Sequence, residues 1–482
     1  MAFQAAVNSL SDILQRHPWA EELAGILPLS ALIDFIDVPR KLHALQLAGG
    51  VSLWSWVITP AGSRLLLADP PEFGRTACVL DRFGSTVGLE VLDGRYGERY
   101  FSASPETLRL LLASLPLDEV VNDHANMAER NLRTQTLELV HVSRRPGRSQ
   151  AQHLSEQGMA RRLLRDARLV ADPICLATIV LGWSLLVGML VMSAFLETWI
   201  SFAFYLLIPT TGLVVFALHG SRPRRLLVDR PSDYIRLLLI SEHMNSAEWI
   251  VVYGESSIVN SLLNRPLEPT GAPLSAASTT VSRFLLRTCI IGQWALVLAA
   301  AATKDWNAYF ICFWVSFSIF SQAYLLTPTR VARAWARELV NLKFERLSTR
   351  LSSRRSLLNA VVALNPDSFS RNEAGAVNLK QFNAQGLRWI DPILQPSDNR
   401  SRWEEATRQA MEECHTELSA EDVDLSLDKY RGTADKFLSS AWNDSFSQQG
   451  NYWRDCIAEG LYVASKLRKA KDLPTYKVPG VD

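Results

Sequence analysis

The sequence predicts an α+β cytosolic body plus an all-α membrane part, with four transmembrane helices arranged as two hairpins. Three observations predict it. Residues 174–196 carry no charged side chain, and after Glu197 and Thr198 residues 199–218 carry none either. The pattern then recurs: 288–302 is uncharged and extends back through Leu285 with Arg287 at its edge, Lys304 and Asp305 make a turn, and 306–327 returns. Between residues 51 and 143, several runs alternate polar and apolar side chains, the mark of half-buried strands.

A helix needs about 20 apolar residues to cross a ~30 Å hydrocarbon core, and each run approaches or exceeds that length. Trp199, Trp306, Tyr309 and Tyr324 stand near the span ends, where amphipathic rings favour the interface. No ionisable side chain lies mid-span; Gln293 is the most polar group there. This disfavours an ion-coupled pump, which places carboxylates or other charges in the membrane. Gly182 and Gly188 suit close helix packing, and Pro209 should kink the second span. Residues 1–16 show no basic start followed by an apolar core, so no cleaved signal is expected.

Basic residues set the expected orientation. Arg161, Arg162, Arg165 and Arg168 precede the first span, Arg222, Arg224 and Arg225 follow the second, and Arg330, Arg333, Arg337, Lys343, Arg346 and Arg350 follow the fourth. Lys and Arg stay cytosolic, so both termini and the long middle loop should face the cytosol. The expected division is a cytosolic α+β domain over 1–165, a first hairpin over 166–219, a cytosolic αβα loop over 220–284, a second hairpin over 285–327 and a mainly helical cytosolic domain over 328–482. Asn399 and Asn443 head glycosylation triplets, which this orientation keeps unmodified.

Composition agrees. The 482 residues are 48% hydrophobic and 21% charged, which excludes wholesale disorder. Fifty Lys+Arg against 49 Asp+Glu leave no field to recruit nucleic acid, and six cysteines make no disulfide scaffold.

In chain order, short helices are expected before Lys41, then strands at 51–59, 64–68, 76–81, 87–92 and 99–102. Asp93-Gly94 reads as a hairpin turn. Ser104-Pro105 opens a helix through Leu115, and 134–143 is a further strand. After a linker at 144–148, a helix over 155–170 leads to the membrane. The middle loop reads as a helix at 234–244, a strand at 249–253 and a helix at 255–264. Because one strand cannot hold a sheet, 249–253 should join the N-terminal strands. Residues 329–350 read as a basic amphipathic helix that meets the membrane surface through Arg330, Arg333, Arg337, Lys343, Arg346 and Arg350. Residues 402–418 and 434–471 complete the helices.

Motifs for chemistry are scarce. Gly84-Ser85-Thr86-Val87-Gly88 lacks the lysine of a phosphate-binding loop and reads as a hairpin turn. Gly254-Glu255-Ser256-Ser257-Ile258 has Ile where a nucleophile elbow needs a second glycine, so Ser256 reads as a helix cap. Cys414 and His415 are adjacent and would point about 100° apart on a helix, unsuited to one metal. His124 and His141 lack a nucleophile partner. His219, Glu242, His243 and Glu248 are the candidates for an enzyme working at the bilayer edge, weighed against plain solvated charge. No cofactor and no metal are expected.

The stretches LSSRRSLLNAVVALNPDSF at 351–369, LRWIDPIL at 387–394 and 401–411 resemble uncharacterised multi-pass membrane proteins of filamentous fungi, some encoded in secondary-metabolite gene clusters. The resemblance covers about a tenth of the chain and implies an accessory role at the endoplasmic reticulum or another internal membrane. The expected function is therefore a membrane accessory protein whose partners are the lipid bilayer and a protein or a lipophilic small molecule, with no nucleic acid. The alternatives are a membrane enzyme on a lipophilic substrate and a small transporter or channel built as a homo-oligomer.

Overall fold

A computed structural model describes residues 12, 16–30, 37–49, 52–67, 77–83, 87–123, 133–145, 173–228, 231–270, 275–371, 377–418, 447–471 and 473. The expected helix over 155–170, the 84–86 turn, His124 and the first part of 434–471 lie outside the described residues.

The fold is mixed α/β, with a seven-stranded sheet and, among the described residues, 14 α-helices. The strands are β1 (Glu90–Asp93), β2 (Arg99–Phe101), β3 (Leu117–Glu119), β4 (Gln135–Arg144), β6 (Ile235–Ser241), β7 (Glu248–Glu255) and β9 (Leu342–Leu351), in the order β2-β1-β6-β7-β4-β9-β3. Two short pairs lie outside it: β5 (Arg224–Arg225) with β8 (Glu268–Pro269), and β10 (Phe369–Arg371) with β11 (Val377–Phe382). All pairings in the large sheet are antiparallel except β4 with β7 and β3 with β9. The Asp93-Gly94 turn joins β1 to β2 as expected. The predicted 249–253 strand does enter the N-terminal sheet, between β6 and β4.

The sheet is covered on both faces. Side chains alternate across a strand. Leu137, Leu139, Leu237, Leu239, Trp249 and Val251 pack against α12 (Arg354–Leu364), α13 (Asp398–Leu418) and α14 (Ser447–Ala470). Val140, Val142, Leu238, Ile240 and Val252 face α5 (Pro105–Ser114), α8 (Ser256–Leu263) and α11 (Pro328–Ala334). Burial on both faces explains why β6 was misread. Its IRLLLIS run has no polar alternation, and an apolar run without alternation mimics a helix. The expected helix at 234–244 is thus a central strand.

The 329–350 reading is corrected as well. Helix α11 and a π-turn at Trp335–Leu339 account for its first part; Asn341 then takes a left-handed φ of 57°, which ends the helix, and β9 follows. Arg330, Arg333 and Arg337 lie on the helical part, whereas Lys343, Arg346 and Arg350 lie on a strand paired with β4 over its whole length.

Four helices are long and apolar enough to cross a membrane: Ile174–Phe195, Trp199–Gly220, Ala276–Thr303 and Trp306–Leu325. They correspond to α6 (Pro173–Phe195), α7 (Trp199–Val215) with a π-turn at Phe216–Gly220, α9 (Ala276–Thr303), and α10 (Trp306–Phe320) with a π-turn at Ser321–Leu325. Pro209 is accommodated inside α7.

The N-terminal residues hold the largest departure from expectation. The strands expected at 64–68 and 76–81 are helices α3 (Pro60–Leu67) and α4 (Val79–Phe83). Residues 52–59 are not a strand of the sheet; they wedge into the four apolar helices. Trp54 packs against Trp314 and Phe317 of α10 and lies so close to Gly182 of α6 that a Cβ there would meet its ring at 2.1 Å. Backbone buried among apolar helices must find partners within the protein. Gln293, 1% exposed, supplies them: its Oε1 accepts from Ile58 N at 3.1 Å, and its Nε2 donates to Trp56 O at 3.0 Å and to Thr211 Oγ1 at 2.9 Å. Trp294 Nε1 donates to Ile58 O at 3.3 Å.

Two further helices precede this wedge. Helix α1 (Pro18–Ser30) packs on α9 and α10 beside their connecting turn: Tyr309 donates its hydroxyl to Ala20 O, and Lys304 pairs with Glu22. Helix α2 (Val38–Ala48) is capped by Asp37 and ends at Gly49, whose φ of +76° a side chain would strain.

Candidate functional site

Two polar constellations stand out, one beside the His219 end of the second apolar helix and one at an end of the sheet. Strand direction defines that end. β9 starts after α11 and the π-turn at Trp335–Leu339, and its ten residues cover about 33 Å at ~3.3 Å per residue. Because β4 runs antiparallel to β9 and parallel to β7, Gln135, Glu248 and Leu351 share the end far from the start of β9.

The near constellation is buried where α2, α4 and α5 meet. Ligand atoms of His43, Cys78 and Asp81 lie within 4.8 Å of one another. The hydrogen bonds assign every role. Leu80 N donates to His43 Nδ1 at 3.3 Å, and the Thr107 hydroxyl donates to Asp81 Oδ2 at 2.8 Å. His43 Nε2, 3.1 Å from Thr107 Oγ1, must therefore donate to it. Asp81 Oδ1 accepts from Glu106 N and Thr107 N, the first turn of α5. Burial pushes His43 down to about 4, Asp81 up to about 6 and the Cys78 thiol up to about 12.

This donor set does not fit a cation. Neither His43 nitrogen has a free lone pair, Cys78 is held as the thiol, and the Arg224 guanidinium lies beside it. Nor does it fit nucleophilic catalysis, since Cys78 and His43 are both fully buried. The cluster ties three helices together. Beside it, Gln46 Oε1 accepts from Val79 N at 2.8 Å, while its Nε2 lies 3.5 Å from His219 Nδ1. His219, a sequence candidate, is thus enclosed at the end of the second apolar helix. Around it stand Arg82, Arg224 and Arg283, with Arg222 close to Arg224. Arg224 is buried, and its Nε and Nη1 have no hydrogen-bond partner among the described residues.

The far constellation is a cavity of about 290 Å³. Arg133 and Gln135 from the start of β4, Arg354, Arg355 and Leu358 from the start of α12, Ile393 and Leu394, and Trp453 of α14 line it. Ser353 caps α12 by accepting from Ser356 N at 3.2 Å, which fixes where its first turn points. Arg133 Nη1 donates to Asn245 O at 3.0 Å; Arg354 donates to Asn245 Oδ1 at 3.3 Å and Ser246 O at 3.4 Å. Neither has a carboxylate partner among the described residues. Burial and the neighbouring Arg133 charge lower Arg354 from the ordinary arginine range. Arg355 lies over the Trp453 ring at 4.1 Å.

The remaining sequence candidates scatter. Glu242 pairs with Arg109, His243 Nδ1 accepts from Asn245 N, and Glu248 opens β7, so all three sit at or near the far end of the sheet, apart from His219. Ser256 starts α8, whose cap is Glu255; the Glu255 carboxylate binds Arg144 and Ser257. His141 lies 3.5 Å from Glu345 and no serine or cysteine approaches it among the described contacts. Of the six basic residues expected at the membrane surface, Arg346 turns inward: it grips Glu138 through two nitrogens and donates to Leu112 O. Lys343 pairs with Glu345 and Arg337 with Glu338, while Arg350 is exposed. The arginine cavity escaped sequence reading because its residues come from four distant stretches. The one available signal was the Arg354-Arg355 pair directly after a capping Ser353.

No protein-family model, curated protein or solved structure matches this chain.

Proposed function

We propose that the chain is an integral membrane accessory protein: four spans in two hairpins hold a cytosolic α/β body that binds a partner protein or a small molecule. The observation that carries this reading is where the apolar helices attach. α9 begins after β8, and α10 continues through α11 into β9, so both outer ends of that pair meet the α/β body. The turn between them lies about 40 Å off, from 28 residues at 1.5 Å each. Ser201 N donates to Asn307 Oδ1 at 2.9 Å, which brings the turn of the first pair beside that of the second. Both hairpins then point the same way, with the body on one face. Arg82, Arg222, Arg224 and Arg283 form a basic collar at that face, suited to cytosolic lipid phosphates.

The bundle interior favours an anchor over a conduit. Trp54, Tyr205 and Trp314 fill it with edge-on ring contacts, and Gln293 is engaged in holding the 52–59 backbone. Expression in microsomes tests the reading. The protein should resist alkaline carbonate extraction. Protease added outside cytosol-out vesicles should remove the body and leave protected fragments containing 174–195 to 199–220 and 276–303 to 306–325. Complete extraction, or protection of the body with cleavage at both turns, would overturn it.

A further inference from the structure

We infer that the cavity at the far end of the sheet is a binding site for a metabolite-sized organic anion, a carboxylate or phosphate carried on an apolar skeleton. Its chemistry stands independently of the membrane reading; only its placement in the aqueous phase rests on that reading.

The polar half of the cavity is built of Arg133 and Arg354, whose hydrogen bonds among the described residues are to neutral oxygens of the β6–β7 turn, with Arg354 also 6.0 Å over the Trp249 ring. Two guanidiniums this close repel, and neutral carbonyls do not offset their charge. An anion between them would, through charge-assisted bonds of roughly twice the strength of neutral ones. The carbonyls of Asn245 and Ser246 meanwhile hold the guanidinium planes in place, so little side-chain freedom remains to be lost on binding. The other half is apolar: Leu358, Ile393 and Leu394 beside the buried Trp453 ring. A small inorganic ion would leave that surface unfilled, so the ligand carries a hydrocarbon or aromatic part.

Size decides the source. About 290 Å³ falls near the low end for small-molecule sites and is too little for a two-chain lipid. The cavity lies at the end of β9 opposite the one at which the chain arrives from α11, about 33 Å along the strand.

Three probes on the purified full-length chain in mild detergent test this: 2-naphthoate, 2-naphthalenemethanol and a single-chain lysophosphatidate, each followed by calorimetric titration. Naphthoate should bind at least ten-fold more tightly than the alcohol, which matches its skeleton but lacks the charge. That comparison needs no variant. The doubly substituted Arg133→Gln/Arg354→Gln chain should lose at least ten-fold in naphthoate affinity with its melting temperature unchanged. Arg133→Lys/Arg354→Lys should fall between, since lysine keeps the charge without the planar fork. Equal binding of naphthoate and alcohol would overturn the proposal, as would indifference of naphthoate to the glutamine pair. Binding of lysophosphatidate at these arginines without naphthoate would overturn the aqueous source. Carbonate extraction reports on the membrane reading by itself, so the two can fail separately.

Discussion

Gln293 is the most polar side chain of the apolar helices, and all of its polar atoms are in use. It satisfies Ile58 N, Trp56 O and Thr211 Oγ1 in surroundings without water. Replacing it with leucine orphans buried backbone groups, each at about 1–3 kcal/mol. Gln293→Leu should therefore lower the melting temperature in detergent sharply, and Thr211→Val, which removes one contact, should cost much less. Equal effects would mean that the 52–59 wedge is held by its tryptophans alone. The His43–Thr107–Asp81 chain makes a different prediction, in pH. His43 titrates at about 4 when folded against 6.5 otherwise, so from pH 6.5 down to 4 the unfolded chain takes the proton that the folded one refuses, and stability falls. Asp81 titrates at about 6 against 3.8, so over nearly the same interval the folded chain takes the proton first and stability rises. The two oppose each other, with Glu106 and Arg224 as the other charges facing His43. Asp81→Asn removes one side of the balance. Between pH 6.5 and 4 that variant should lose up to roughly 3 kcal/mol more than the unaltered chain, as read by denaturant titration across pH.

At the scale of elements, local rules succeed where a segment carries an alternation, a cap or a helical period and fail where its pattern fits two structures. β2, β4, β7, α5, α8 and α13 follow from alternation, capping and period. β6 fails because it is buried on both faces. β9 fails because its charges sit on a strand rather than a helix: Arg346 pairs with Glu138 and Glu345 faces His141 across the sheet, while Lys343 pairs with Glu345 on its own strand. The 52–59 segment fails because tryptophans at alternate positions, Trp54 and Trp56, suit a strand and a membrane wedge equally. The arginine cavity depends on how α12 and α14 meet, which no local pattern encodes. Two features fix that meeting. Glu459 of α14 accepts from Asn122 Nδ2 and Ser352 N, both at 2.8 Å, and from Ser356 Oγ at 2.6 Å. One residue on, a Cβ at Gly460 would lie 2.4 Å from Asn359 Cβ and 2.8 Å from Ala360 N. Gly460→Val should force the helices apart and destabilise the body by about 1–3 kcal/mol or more. Because Trp453 rides on α14, naphthoate affinity should fall with it. A stable Gly460→Val chain with unchanged Trp453 fluorescence would show that the crossing can relax.

For the whole molecule, the least expected placement is that of α1. Charge patterning assigns everything before the first span to the cytosol, yet α1 lies against Lys304 and Tyr309, at the end of the bundle remote from the sheet. Its buried side is small: Ala20 and Ala24 fit against α9 and α10. Its other side exposes Trp19 (67%), Leu23, Ile26 (64%) and Leu29, spaced so that one helical face is apolar. Thirteen residues are about 20 Å of helix, too short to span a bilayer but suited to lie in its interface. On the proposed membrane reading that interface is the one opposite the cytosol, and α2, packed by Gln46 and Gly49 against the His219–Gly220 end of the bundle, is back on the cytosolic side. The positive-inside rule is blind to such a segment because α1 carries only Glu21 and Glu22 as charges, and acidic residues contribute little to it. In cytosol-out vesicles, a membrane-impermeant maleimide should label Asn399→Cys at once. His17→Cys, exposed just ahead of α1, should be labelled only after the membrane is opened, each measured against the unsubstituted chain. Immediate labelling of His17→Cys in sealed vesicles would place α1 on the cytosolic face and detach it from the turn on which it packs.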